Sequence, residues 1–502
     1  MTVPPLQTPG RETFWQIGHV QEILFYFFAA MALLTFSWGV YRRFTRYTRG
    51  AEDWFDRTDD IVSRVVEATK IVATNEKQFN RDLYGGLMHT FIMWGFLTLL
   101  MATIILTIDV DIYRPLTGES FFVGDFYLSY SFVVDAMGLL FMVGLGIAIY
   151  RRYAARSGRL WGKHTAREDD LFLWALFLLG LGGYLTEAIR ILAFGFEPQA
   201  QVSFVGYFVG TVLAMGGLGT GGATELYPLV WWSHALLAFW FIAWIPYGKP
   251  FHMLSSYANV VTRDEKAGAR LPGVPADAAP EDIGPSEIAD FSWKQLLDQD
   301  ACTKCGRCSS VCPANASGRP LDPRDVILDL KRYREEHNAG RAEDVPIVAD
   351  GGTSVIDAET MESCMACMAC MDACPVEIEH LTSFTDMNRR LTESGQMEAN
   401  VQDAMMNVFQ QGNTFGDPQR ARPDWTEELD FEVPDARDGP VEYLWYVGDY
   451  PSYDDRNQEI AMALARVLEA ADVDYGILYE DEQVAGNDVR RVGEEGLYEM
   501  LV

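Results

Sequence analysis

The chain has 502 residues, enough for several domains. Its formal charge is −31, from 71 acidic against 40 basic residues, which disfavours nucleic acid and anionic membrane surfaces as partners. Long apolar runs fill the chain up to about residue 255 and polar, acidic sequence comes after them, so the average composition describes neither half.

Five runs, near residues 18–40, 85–108, 128–150, 170–193 and 227–248, reach the roughly 20 apolar residues that cross a bilayer. A shorter, glycine-rich stretch, Val202 to Leu218, reads as interfacial or half-buried. The residues before the first run are neutral and proline-rich, so no cleavable signal is expected and the first span reads as an uncleaved anchor. Arg42, Arg43, Arg46 and Arg49 follow span one. Arg151, Arg152, Arg156, Arg159 and Lys163 follow span three, and Lys249 follows span five. The loops after spans two and four carry Asp109, Asp111, Glu119 and Glu197 instead. Positive charge marks the cytoplasmic side. The expected product is a multi-pass cell-membrane protein with its N-terminus outside and its polar half in the cytoplasm.

Ionisable groups inside a membrane are costly and point to function. His89 begins span two, and His252 lies just past span five at a matching depth. Two facing imidazoles make a b-type haem site, so these two are the expected axial pair. His234 lies 18 residues before His252, about 27 Å away along a helix, and is a candidate for a second haem. His19 is its weaker candidate partner by depth. Glu187 and Arg190 in span four and Asp135 in span three share that depth. They read as an ion pair or as a site for a haem propionate or a quinone.

A linker is expected over residues 256–290, of which 264–290 are rich in Ala, Pro, Asp and Glu. Two copies of one cysteine pattern come next: Cys302-x-x-Cys305-x-x-Cys308-x-x-x-Cys312-Pro313 and Cys364-x-x-Cys367-x-x-Cys370-x-x-x-Cys374-Pro375. They use all eight cysteines of the chain. This is the spacing of bacterial two-cluster ferredoxins, in which the fourth cysteine of each run binds the other cluster. Cys302, Cys305, Cys308 and Cys374 are expected to hold one [4Fe–4S] cluster. Cys364, Cys367, Cys370 and Cys312 are expected to hold its neighbour. Zinc sites favour paired C-x2-C knuckles over triplets, and disulfides are rare in a reducing cytoplasm. Residues 322–362 form an insert with a helix near Pro323–Glu336. A connecting segment, 396–439, leads to residues 440–502, whose strand–helix–strand pattern suggests a small parallel α/β unit. The acidic residues are spread through 264–502 rather than clustered, which points to a halophile's solubility in high salt. The expected fold class is mainly α: a five-helix transmembrane cytochrome b bundle, an α-helical two-[4Fe–4S] ferredoxin domain over 291–395, and the C-terminal α/β unit.

The segments Trp231-Trp232-Ser233-His234 to His252 and Gly86-Leu-Met-His89 to Trp94 resemble the last and second helices of nitrate reductase gamma-type cytochrome b subunits. Leu99 stands near the place of that family's second histidine. Fusion of such a domain, residues 1–255, to paired ferredoxin motifs resembles heterodisulfide reductase-related membrane iron–sulfur proteins, the electron-transfer-flavoprotein:menaquinone oxidoreductases above all. The resemblance implies electron-transfer flavoprotein as donor and menaquinone as acceptor. It also implies relatives that continue past residue 502 and place non-cubane-cluster cysteines where this chain has Gly448-Asp449-Tyr450 and Gln483 to Gly486. No flavin or nicotinamide fingerprint opens a helix. Two functions remain open: a quinone-reducing oxidoreductase, or a non-catalytic relay subunit of a heterodisulfide reductase-like or 2-hydroxy-acid dehydrogenase complex.

Overall fold

The computed structural model describes residues 9–275, 278–279 and 282–501; residues 276, 277, 280 and 281 of the expected linker lie outside the described residues. Five long apolar helices dominate the first half. They are α1 (His19–Tyr47), then, after the amphipathic α2 (Ile61–Thr74), α3 (Leu83–Thr107), α4 (Gly124–Ile149) and α5 (Arg167–Ala193), and, after the short α6 (Phe204–Met215), α7 (Thr220–Trp244). Each is long and apolar enough to cross a membrane. The stretch expected to be half-buried is α6, whose 12 residues are too few to cross a bilayer. Small residues let the spans approach. An added Cβ at Gly95 would meet Phe141 on α4, and one at Gly144 would meet Phe91 and Ile92 on α3.

The second half grows out of α7 without a flexible break. Two 3₁₀ turns, Ile245–Tyr247 and Lys249–Phe251, lead into α8 (His252–Val261). Residues 256–261, expected as the start of the linker, complete α8. Ser255, Asn259, Val260 and Val261 are buried there, so this part of the chain is core. Helix α9 (Trp293–Ala301) packs on α8 with all but its first residue buried. The insert contributes α10 (Pro323–Asn338), close to the expected helix, and a parallel pair, β1 (Val348–Ala349) with β2 (Ile356–Asp357). Helices α11 (His380–Glu393) and α12 (Ala399–Gln411) come next. The C-terminal unit is β3 (Tyr443–Leu444), α13 (Asp455–Ala470) and β4 (Tyr475–Gly476), with the strands parallel as the alternation predicts. Trp425, Val433, Ala461, Ala465, Tyr475 and Ile477 form its core.

Polar contacts fasten the two halves together. The Asp300 carboxylate, only 1 % exposed, takes Arg334 Nη2 at 2.7 Å, Arg43 Nη1 at 3.2 Å and Lys331 Nζ at 3.3 Å. It also accepts from Tyr47 Oη at 2.5 Å. Burial opposes ionisation, but Arg334, Lys331 and Arg43 hold this carboxyl well below the usual carboxylate range. Arg43 comes from α1 and Arg334 from α10, so one buried anion ties span one to the cysteine-bearing half. Within the second half, Asn259 Nδ2 donates to Asp298 at 2.9 Å and to the Val376 carbonyl at 2.8 Å, holding α8 to both cysteine-bearing stretches.

Candidate redox sites

The two cysteine loops share one backbone design. Lys304 and Gly306 in the first loop, and Ala366 and Met368 in the second, adopt positive φ at equivalent positions. Each loop therefore passes twice through left-handed backbone. A short helix then follows, Arg307–Val311 or Ala369–Asp372. The thiols fall into two neighbour sets. Cys308 has Cys302, Cys305 and Cys374 as its electrostatic neighbours, and Cys374 has Cys302 and Cys305. Cys370 has Cys364, Cys367 and Cys312. These neighbour sets group the first three cysteines of each run with the fourth of the other. Among the described residues no three His, Cys, Asp or Glu side chains converge on a single ion. A shallow hollow is lined by Cys312, Cys364, Cys367 and Cys370.

Burial pushes the Cys302 thiol up to about 11 and the Cys370 thiol up to about 12. Thiolates are therefore costly here unless positive charge joins them, and loading with iron would release protons. Backbone N–H groups already aim at sulfur: Ile378 donates to Cys374 at 3.4 Å and Ala366 to Cys364 at 3.5 Å. Such bonds stabilise cluster-bound thiolates and help set their potential. The residues present fit a pair of cubes.

His89 and His252 are brought together as electrostatic neighbours. His89 Nδ1 lies 2.9 Å from Asn75 Oδ1, and His252 Nδ1 lies 2.7 Å from the Lys249 carbonyl oxygen. A carbonyl oxygen can only accept, so Nδ1 of His252 carries the proton and Nε2 keeps its lone pair. The same tautomer at His89 leaves two Nε2 atoms for axial ligation. Phe172 of α5 meets the His252 ring edge-on at 5.7 Å. This chemistry fits a haem between α3 and α8. Asn75, fully buried with φ of 52°, was not apparent from the sequence. It lies between helices, and only its tolerance of left-handed backbone sets it apart there.

The remaining candidates are arranged differently. His19 is exposed and pairs with Glu22 at 3.5 Å; it is not brought to His234. His234 faces α5, where an added Cβ at Gly182 would lie 3.0 Å from its Nδ1. That nitrogen is buried without a hydrogen-bond partner. Asp135 accepts from the backbone N–H groups of Val205 at 2.8 Å and Gly206 at 3.2 Å. It therefore caps α6, and both its oxygens are engaged. Arg190 sits 3.9 Å from Glu187 and 3.5 Å from Tyr127 Oη. In the C-terminal unit, where the resemblance implies further cysteines, a buried ion triad stands. Arg422 donates to Asp449 at 2.6 Å and to Glu482 at 2.8 Å, and Glu482 accepts from Val447 and Gly448 N–H, both at 2.7 Å.

Comparison with known proteins points to iron–sulfur chemistry in the cysteine-bearing half. Residues 298–378 match the 4Fe-4S dicluster domain family. The chain is 29% identical to the "Probable iron-sulfur-binding oxidoreductase FadF" of Bacillus subtilis, over 95% of this chain and 72% of that protein. It is 28% identical to the "EtfAB:quinone oxidoreductase" of Syntrophomonas wolfei, over 96% and 71%. It is 32% identical to the "Probable membrane-anchored ferredoxin" of Chromohalobacter salexigens, over 73% and 58%. A heterodisulfide reductase subunit of Methanosarcina barkeri is 26% identical over 40% of this chain and 48% of its own length. No solved structure matches. With its five membrane-length helices and dicluster domain, the chain is a membrane-associated iron–sulfur oxidoreductase, or an electron-transfer subunit of one, homologous to these proteins.

Proposed function

We propose that the chain carries electrons from electron-transfer flavoprotein, through two [4Fe–4S] clusters and a haem b, to menaquinone in the cell membrane. Cys302, Cys305, Cys308 and Cys374 would hold the inner cluster, and Cys364, Cys367, Cys370 and Cys312 the outer one. His89 and His252 would be the haem's axial ligands. When bound, these groups accept and release single electrons. The chain's own side chains position them and exclude water.

One observation carries this reading. The inner cysteines and the histidine pair share their cations: Arg307 neighbours both Cys305 and His89, and Lys331 neighbours both Cys302 and His252. Arg307 also clamps the first cysteine loop to the turn before α3. It donates to the carbonyls of Lys77 at 3.0 Å, Asn80 at 3.1 Å and Gln78 at 2.6 Å. Cysteine loop and haem-ligand candidates are thus in series. The basic loops Arg151–Lys163 and Lys249 lie on the cysteine side, where Lys163 bonds Asp329 at 2.8 Å and Lys304 sits 3.7 Å from Asp169. This supports a cytoplasmic cysteine domain. The relative named for EtfAB and a quinone supports the donor and the acceptor class.

The test is optical. Reduced electron-transfer flavoprotein should reduce the haem in membranes holding this protein, and a menaquinone analogue should reoxidise it. If the flavoprotein leaves the haem oxidised while another donor reduces it, the relay-subunit reading gains, in keeping with the similarity to the Methanosarcina heterodisulfide reductase protein.

A further inference from the structure

The two cysteine loops are alike in backbone but opposite in surroundings. In the first, Gly306 holds the left-handed position, and a Cβ there would collide with the Arg159 carbonyl oxygen. That loop is pressed onto the membrane half. At the equivalent position of the second loop stands Met368, at φ of 62° and 41 % exposed. Met365 beside it is 59 % exposed, and Cys367 between them is exposed too. A non-glycine residue in this conformation is disfavoured, and large apolar side chains gain nothing from water. Both costs are incurred beside a cluster ligand, where a covered loop would be more stable.

Charge separates the loops further. Lys304, Lys331 and Arg307 surround the inner cysteines. Arg491 is a cationic neighbour of Cys364 in the outer set; cations raise a cluster's potential, so the larger number beside the inner cysteines would favour electron flow from the outer cluster to the inner one. Next to the outer loop, Glu362 lies among Asp350, Glu359 and Glu398, all four exposed, with Arg319 the one neighbouring cation, paired to Glu359 at 3.3 Å.

We infer that the Met365–Met368 loop, with the acidic rim of Asp350, Glu362 and Glu398, is the docking face for the electron donor. Its occupant is a protein that presents an exposed redox cofactor inside a basic rim. This rests on the electron-transfer reading above and adds the point of entry. One electron leaves the partner's reduced cofactor, the outer cluster gains it, and no bond is made or broken. Methionine suits such a contact because its side chain adapts to a surface that must bind and release quickly.

The test uses the full-length protein in lipid nanodiscs and two probes. Association of purified electron-transfer flavoprotein is followed by surface plasmon resonance. Reduction of the clusters by methyl viologen radical cation, a small cationic donor that becomes the dication, is followed optically. Replacing Glu362 and Glu398 together by Lys should slow flavoprotein association about tenfold at low salt and slow viologen as well. Reversing Glu459 and Glu469 on α13 should change neither. M365S with M368S should speed flavoprotein dissociation and spare viologen. Unchanged association and viologen rates in the E362K/E398K protein would overturn the inference. If the flavoprotein fails to bind even the wild type while viologen is slowed by E362K/E398K, the entry face stands and the assignment of the donor fails.

Discussion

Replacing Asp300 by Asn removes one negative charge from a site that faces Arg334, Arg43 and Lys331. The carboxylate is 1 % exposed, and those cations are 5 %, 12 % and 23 % exposed. Asn keeps the shape and one acceptor, so packing is preserved and the charge is the variable. Deleting one partner of a buried pair costs about 3–5 kcal/mol, because the opposite charge is left buried alone. A domain of about 150–250 residues loses about 2–4 °C of melting midpoint per kcal/mol. The cysteine-bearing half should then melt at least about 6 °C earlier in D300N. Scanning fluorimetry in nanodiscs measures this, with loss of cluster absorbance as a second signal. D435N, which breaks the solvent-screened Arg437–Asp435 pair, is the control and should leave the midpoint nearly unchanged. Equal midpoints for D300N and D435N would refute the reasoning. The pH dependence has a defined sign. The folded carboxyl titrates below its unfolded value of about 4, so its stabilisation is complete above that pH and lost only as acid is added below it. Wild type should therefore melt at a constant temperature from pH 5 to 8 as far as this group is concerned, and D300N should lack its share of the acid-induced fall.

C374S should alter the EPR signal of the inner cluster, and C312S that of the outer cluster; the opposite assignment would show that each motif keeps its own fourth cysteine. H89A and H252A should remove the same low-spin haem spectrum, whereas H164A, whose imidazole pairs with Asp329 at 3.2 Å, should retain it. N75G keeps the backbone free to hold positive φ but deletes the acceptor for His89 Nδ1, and haem affinity should fall about 10–100-fold in a haem titration. G306A should destabilise the first cysteine loop more than G318A, measured by thermal release of iron. Both variants strain a positive φ, but only the former drives a methyl into the Arg159 carbonyl, Gly318 having open space.

What could be read from the sequence was whatever is local in the chain. The cysteine spacing encodes its own loop geometry, so the partition of Cys312 and Cys374 could be written before any fold was known. Span boundaries follow from hydropathy, and the match of His89 with His252 follows from depth alone. Long-range polar partners were not legible. Nothing in the neighbourhood of Asp300 announces that Arg43, 257 residues earlier, will bond it. Asp135 shares a depth with Glu187 and so looked like part of a binding site. Its carboxylate instead closes the end of α6, a role that depends on how spans three and four pack. His19 likewise has the right depth for His234, but α1 turns it to the outside.

Helix α7 leads into α8 through two 3₁₀ turns, and Asp300 ties the cysteine-bearing half to span one through Arg43. Electron tunnelling falls steeply with separation, so a mobile head would give each molecule a changing rate. The contacts that Asp300 and Arg307 make across the two halves oppose such motion. On the proposed electron-transfer reading, arrival of a diffusing donor, rather than motion of a tethered head, would then set turnover. Lengthening the chain at Gly248 should hurt electron transfer even in a protein that still holds every cofactor.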